Sequence, residues 1–257
     1  MRKIQIIILL ACGVLYLPQL FAQDTLFKQA NEFYSQKNYD SAIVCYQQLI
    51  DNGYQDAILY YNLGNAYFKD DQIGNAILWY ERALRLSPNN KDIQYNLAFA
   101  NQQTIDNIEP IPSFFLKTWM LAIQNLFSAK NWAIISIVLC AALVCFILLI
   151  FLISNYRLRM TFFLFACLCL TTIIVSIVFA GLQTRHVNRT DEGIIIQSNV
   201  TLKSTPDNSG TDLFTVHEGT KVKITDNAGE WIEVQFSNGS KGWMLGEDLE
   251  TIAVQSF

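Results

Sequence analysis

Two stretches of this chain, residues 132–153 and 162–182, contain no charged side chain. As helices rising about 1.5 Å per residue, each is just over 30 Å long, the thickness of a bilayer's hydrocarbon core. A short turn at 154–161, holding Arg157 and Arg159, separates them, so the pair predicts a transmembrane helical hairpin. The charges follow the same division. All 22 carboxylates fall within residues 24–109 and 191–250, and none lies between 110 and 190. An isolated carboxylate in hydrocarbon is costly, so this is the distribution of two water-exposed blocks flanking a membrane part. Each block is acidic, with eleven acids against six bases in the first and eleven against four in the second. Phosphate backbones need a basic surface, so nucleic acid is excluded as a partner.

The chain opens with Arg2-Lys3, an apolar run over 4–17, and Ala22 at a position where a signal peptidase could cut. This reads as a signal peptide over 1–22. Exporting residue 23 onward puts the first block outside, and two spans return the chain to that side. Arginines in a tight turn favour the cytoplasm. The predicted topology is therefore a membrane crossed twice, with both blocks extracytoplasmic and 154–161 cytoplasmic. Between the first block and the first span, residues 107–131 form a linker carrying an aromatic amphipathic segment at 112–127. It suits a helix lying on the bilayer, or alternatively one packed on the preceding domain.

Residues 23–106 repeat at a period of 34. Ala30 pairs with Gly64, Phe33 with Tyr67, Ala42 with Ala76 and Tyr46 with Tyr80, and Asn62-Leu63-Gly64 recurs as Asn96-Leu97-Ala98. Small residues at fixed places let paired helices approach closely, and Pro88 cannot continue a helix. This pattern resembles the tetratricopeptide (TPR) repeat. It predicts an all-α solenoid of two repeats plus a capping helix near 91–103. The resemblance places Phe27, Glu32, Tyr61, Asn65, Phe68, Lys69 and Tyr95 on the concave, protein-binding groove, with Asn62 and Asn96 beside it. Asn65 stands where such proteins hold a peptide backbone. Tyr67 and Tyr80 are expected in the core. Lys69 is the one groove cation, which argues against capture of an acidic C-terminus.

After a linker at 183–192, residues 193–257 change period. Val222 and Ile224 alternate with Lys221 and Lys223, and Ile232, Val234 and Phe236 alternate with Glu233 and Gln235. Asn238-Gly239 then turns the chain back into Lys241–Met244, a strong hairpin signal. With Leu202-Lys203-Ser204, Glu218-Gly219-Thr220 and Gly242-Trp243, these residues resemble the bacterial SH3-like domain, an all-β small barrel. Trp231 and Trp243 are expected in its core, the alternative being a ligand platform.

Cysteines 140, 145, 167 and 169 lie in the apolar runs and Cys45 on a helix, which leaves no disulfide framework. There is no metal-binding spacing, phosphate loop or nucleophile motif, so no cofactor, metal or catalytic residue is expected. The order of parts (leader, TPR, aromatic segment, helical hairpin, SH3-like domain) resembles the BatE-type proteins of bacterial aerotolerance (Bat) operons. That resemblance implies a non-enzymatic, membrane-anchored scaffold working with integral membrane partners. These would be von Willebrand A-domain Bat proteins and a MoxR-type ATPase, in oxygen tolerance or envelope stress. The alternative is a sensor whose SH3-like domain binds cell-wall peptide.

Overall fold

The computed structural model describes residues 24–106, 108 and 114–254; the expected leader lies outside them. The repeat block folds as helices α1 (residues 24–35), α2 (Tyr39–Asp51), α3 (Ala57–Lys69), α4 (Ile73–Leu86) and α5 (Lys91–Asn101). Each boundary has a local cause. Asn38, Asp56 and Asn90 accept hydrogen bonds from backbone N–H groups in the first turns of α2, α3 and α5, satisfying donors that the helix leaves free. Lys37 and Asp71, one repeat apart, take positive φ at the tight turns into α2 and α4. Pro88 follows Ser87, the C-cap of α4. The capping helix α5 stops at Asn101, two residues short of the expected end.

The core is the set the period picks out. Ala30, Ala42, Tyr46, Gly64, Ala66, Ala76, Tyr80 and Ala83 are all buried. Small residues stand where helices cross, and the tyrosines fill the space between.

The apolar runs form α7 (Ala129–Leu152) and α8 (Tyr156–Val187), joined by three residues. Arg157 and Arg159 lie in the first turns of α8 rather than in a loop, because Asn155 caps that helix through Arg157 N. Phe146 of α7 packs between Phe162 and Phe165 of α8. The outward faces are apolar and uncovered by the other described residues. α8 has 32 residues, about 48 Å, and so outruns a bilayer core. Its last turn reaches the repeat block. Ahead of the hairpin lies the short helix α6 (Phe115–Gln124).

The C-terminal block comprises β1 (Glu192–Ile195), β2 (Asn199–Lys203), β3 (Asp212–His217), β4 (Lys221–Ala228), β5 (Trp231–Gln235), β6 (Lys241–Leu245) and β7 (Leu249–Thr251). All pairs are antiparallel, in the order β3-β2-β6-β5-β4-β1-β7. The Asn238-Gly239 turn joins β5 to β6, with Gly239 at φ 88°. The outer strands β3 and β7 do not pair with each other, and β2 meets β6 at the single pair Lys203–Trp243. The ladder is therefore open, and the closed barrel expected from sequence is not shown. The expected core tryptophans also differ. Alternation along β6 puts Gly242 and Met244 inside, so Trp243 is half-buried on the other face between Lys203 and Glu233. Trp231 is half-buried for the same reason on β5.

Candidate functional site

Two hydrogen-bonded triads repeat at the helical period. In the first, Tyr46 Oη donates to Asn31 Oδ1 (2.6 Å) and Asn62 Nδ2 donates to the same oxygen (3.3 Å). In the second, Tyr80 Oη donates to Asn65 Oδ1 (2.7 Å), as does Asn96 Nδ2 (2.8 Å). Residues 31, 46 and 62 are each displaced by one 34-residue period to 65, 80 and 96. Burial pushes the Tyr46 hydroxyl up to about 12 and raises that of Tyr80 further. Both remain protonated donors, and each asparagine is fixed with its oxygen inward.

Asn65 therefore does not offer its oxygen to a ligand. What it can turn to the groove is Nδ2, a donor suited to a backbone carbonyl. Around it lies a hollow of about 330 Å³ lined by Tyr61, Phe68, Lys69, Tyr95 and Asn96 of the expected set, together with Tyr34, Tyr80 and Phe99. Phe68 packs on Phe99 at 5.5 Å, and Asn96 Nδ2 also donates to Tyr61 Oη at 3.0 Å. Tyr95 is 71% exposed.

The remaining expected residues lie elsewhere. Asn62 belongs to the first triad. Phe27 packs on Tyr46 and lines a separate hollow with Asp24 and Ile58. Glu32 is exposed on α1. Asn31, Tyr34 and Phe99 were missed, although Asn31 sits one period before Asn65 and was legible there. The groove is aromatic, donor-rich and carries a single cation, which suits an extended segment with apolar side chains.

A second junction is built on α4. At 100° per residue, Ala76, Tyr80 and Ala83 share one face of this helix and pack inside the repeats. Gly74, Ile77, Glu81, Arg82 and Arg85 share the opposite face and meet the C-terminal sheet. Glu218 Oε2 accepts from Gly74 N (3.0 Å), and a side chain at Gly74 would press on Glu218 and the Ile195 carbonyl. Lys221 Nζ meets Glu81 (2.9 Å), and Arg82 donates to Glu250 (2.8 Å) and to the Thr251 carbonyl (2.7 Å) while lying over Trp79. Arg85 donates to Glu192 (3.1 Å) and to the carbonyls of Val187 (3.3 Å) and Arg189 (2.6 Å) at the end of α8. Ile194, Ile252 and Val254 complete the core of the repeat block.

Beyond α5, Asp106 accepts from His217 N (2.6 Å), His217 Nδ1 (2.9 Å) and Thr220 Oγ1 (2.9 Å). Burial works against its charge, but these bonds outweigh it and hold the carboxyl below its ordinary 3.8. Burial likewise opposes the charge of Glu192, and Lys221, Arg85 and Arg189 outweigh it, holding that group below 4.5. A carboxyl lowered in the folded state adds stability above its unfolded value and loses it as pH falls through the folded one. The carboxylate share of docking is thus expected to hold from neutral pH to about pH 5 and to weaken below about pH 4, while His186, kept below its ordinary 6.5 by burial and by Arg85, withdraws part of the docking stability as pH falls below about 6.5. Energy transfer between dyes on α2 and on the β5–β6 turn of the full chain would report it; a signal flat to pH 3 would show that these carboxylates do not hold the junction.

Comparison with known families matches residues 27–91 to the Tetratricopeptide repeat and residues 198–250 to the Bacterial SH3 domain. A search of curated proteins finds no match. Both matched families are non-catalytic interaction modules. With two helices long and apolar enough to cross a bilayer, they suggest a membrane protein that binds or assembles protein partners.

Proposed function

We propose that this chain is a membrane-anchored scaffold that holds an extended segment of a partner protein in the Tyr61–Asn65–Tyr95 groove. The observation that carries this reading is the two-sided use of α4. The sheet occupies the face of α4 turned away from Tyr80, so docking of the SH3-like module leaves the groove open. The same docking requires both soluble modules on one side of the membrane, in accord with a two-pass hairpin. By the leader and the arginines near the hairpin turn, that side is periplasmic. By its order of parts, which resembles the BatE-type proteins, the partners are integral membrane proteins of a Bat and MoxR-type system acting in aerotolerance or envelope stress.

Full-length protein carrying Tyr61→Ala with Asn65→Ala is expected to recover at least about tenfold less of its membrane partners in mild detergent, a loss of about 1.4 kcal/mol. Tyr61 is only half-buried, and losing the Asn65 acceptor of the Tyr80 hydroxyl should cost about 1–3 kcal/mol, so helical circular dichroism at low temperature is measured alongside to select folded protein. Undiminished recovery of every partner by a folded double variant would remove the groove from the mechanism.

A further inference from the structure

The helix α6 carries an apolar face that nothing among the described residues covers. Phe115, Leu116, Trp119, Met120 and Ile123 fall within about 140° of arc on a regular helix, and all five are exposed, Trp119 at 68%. Among the described side chains of α6 only Gln124, its last residue, is buried, and the helix shares no described core with the repeats. The reading in which it packs on the repeat domain is therefore not what the structure shows.

The end of α6 is fixed with care. Gln124 Nε2 donates to Gln183 Oε1 at 2.9 Å, with both side chains buried. Trp132 Nε1 donates to the Gln124 carbonyl at 3.0 Å, and its ring is held edge-to-face between Phe127 (5.1 Å) and Phe179 (5.2 Å). Burying two amides is costly, and one bond joins them, Gln183 Nε2 having no partner among the described residues; the position of α6 on the hairpin therefore rests on that bond together with the Trp132 contacts. Gln183 directly follows Leu182, the last residue of the apolar run of α8, and Arg185 is the first charge beyond it. The clamp thus sets the end of α6 at the depth where α8 leaves the hydrocarbon, with Trp119 and its neighbours beside the spans.

We propose that α6 lies in the bilayer leaflet next to the soluble modules, with the Phe115–Trp119–Ile123 face against phospholipid acyl chains and its depth fixed by the Gln124–Gln183–Trp132 clamp. The occupant is lipid because the face is continuous with the lipid-facing surfaces of α7 and α8, and an amphipathic helix with a tryptophan on its apolar face is stable at that boundary. Since α8 is also capped by Arg85, the helix would fix the height of the groove above the membrane. The inference rests on α7 and α8 spanning the bilayer but not on what the groove binds.

Full-length protein and its Trp119→Phe variant would be reconstituted in phosphatidylethanolamine–phosphatidylglycerol vesicles containing lipids brominated near the head or near the end of the acyl chain. Co-flotation with vesicles after alkaline washing tests the spans separately. The difference in fluorescence between the two proteins isolates Trp119. Shallow bromine is expected to quench it about threefold more than deep bromine, as for a helix lying at the interface. In Gln183→Ala that ratio should fall towards one. No quenching from either depth would overturn the proposal, because protein would then cover the face. Quenching that rises as protein is diluted in lipid would also overturn it, in favour of a second copy. Stronger deep than shallow quenching would overturn the interfacial placement, and an unchanged ratio in Gln183→Ala would overturn the clamp.

Discussion

Replacing Arg85 with alanine is expected to weaken the docking of the two soluble modules by about 3 kcal/mol, the cost of breaking one side of a buried ion pair. The Arg85 side chain is 2% exposed and that of Glu192 19%, so water cannot readily take the place of the guanidinium. Removing it leaves Glu192 with only the longer contacts of Lys221 (3.6 Å) and Arg189 (3.7 Å), and takes a donor from the carbonyls of Val187 and Arg189 at once. Carbonyls at a helix C-terminus have no partner within the helix and carry its negative dipole end. Arg85 supplies both a donor and a positive charge there. About 3 kcal/mol is roughly a hundredfold in the docked population. Hydrogen exchange of the full-length protein in detergent should show it as faster exchange in β1 and around Ile252, whose amide bonds to the Glu192 carbonyl. Arg82→Ala should cost less. Its partner Glu250 is nearly half exposed, and an exposed carboxylate regains water when the pair is broken. Equal exchange in Arg85→Ala and the parent chain would mean that Arg85 does not hold the junction.

How far these features could be read in the sequence depended on how local their causes are. The 34-residue period exposed the helix pairs because Ala42, Ala76, Tyr46 and Tyr80 recur for one packing reason in each repeat. The hairpin at Asn238-Gly239 was legible because its turn requires a residue that tolerates positive φ. The Trp243 error also has a local origin. The residue was assigned by bulk, whereas the pleat assigns faces by parity, and Met244 takes the inward position. The α4 junction was out of reach, since it joins residues 74–85 to residues 187–254 and no periodicity links them. Its one trace was Arg82 and Arg85 on the helix face opposite Tyr80, a spacing shared by many solvated faces. Resemblance assigned Asn65 to the groove, and it lines the hollow beside Tyr61, but the inward bond from Tyr80 Oη, which decides which of its atoms can reach a ligand, depends on a fold-level contact.

Gly64 is where the core and the groove depend on one another, and Gly64→Val is expected to cost about 3 kcal/mol through overpacking. A Cβ built at Gly64 would stand 2.7 Å from both Cδ1 and Cε1 of Tyr80 and 3.3 Å from the Ala76 carbonyl. Tyr80 is 1% exposed, and its hydroxyl is tied to Asn65, so the ring cannot swing into solvent to make room. Even Gly64→Ala, which gains about 1 kcal/mol of helix propensity, should be destabilising, because two ring carbons must move by several tenths of an ångström. Displacing the ring also releases Asn65 Oδ1. The groove should therefore lose its fixed amide before the domain unfolds, and partner recovery should fall at temperatures where circular dichroism is still native. The Tyr80→Leu exchange removes the ring that causes the clash. Gly64→Ala combined with Tyr80→Leu is thus expected to be less destabilised than the two single changes added together, as contacting residues generally couple. Denaturant midpoints of the four full-length proteins in one detergent would measure the coupling. A Gly64→Ala protein more stable than its parent would show that helices α3 and α4 have room to separate, and that the glycine is not what sets their distance.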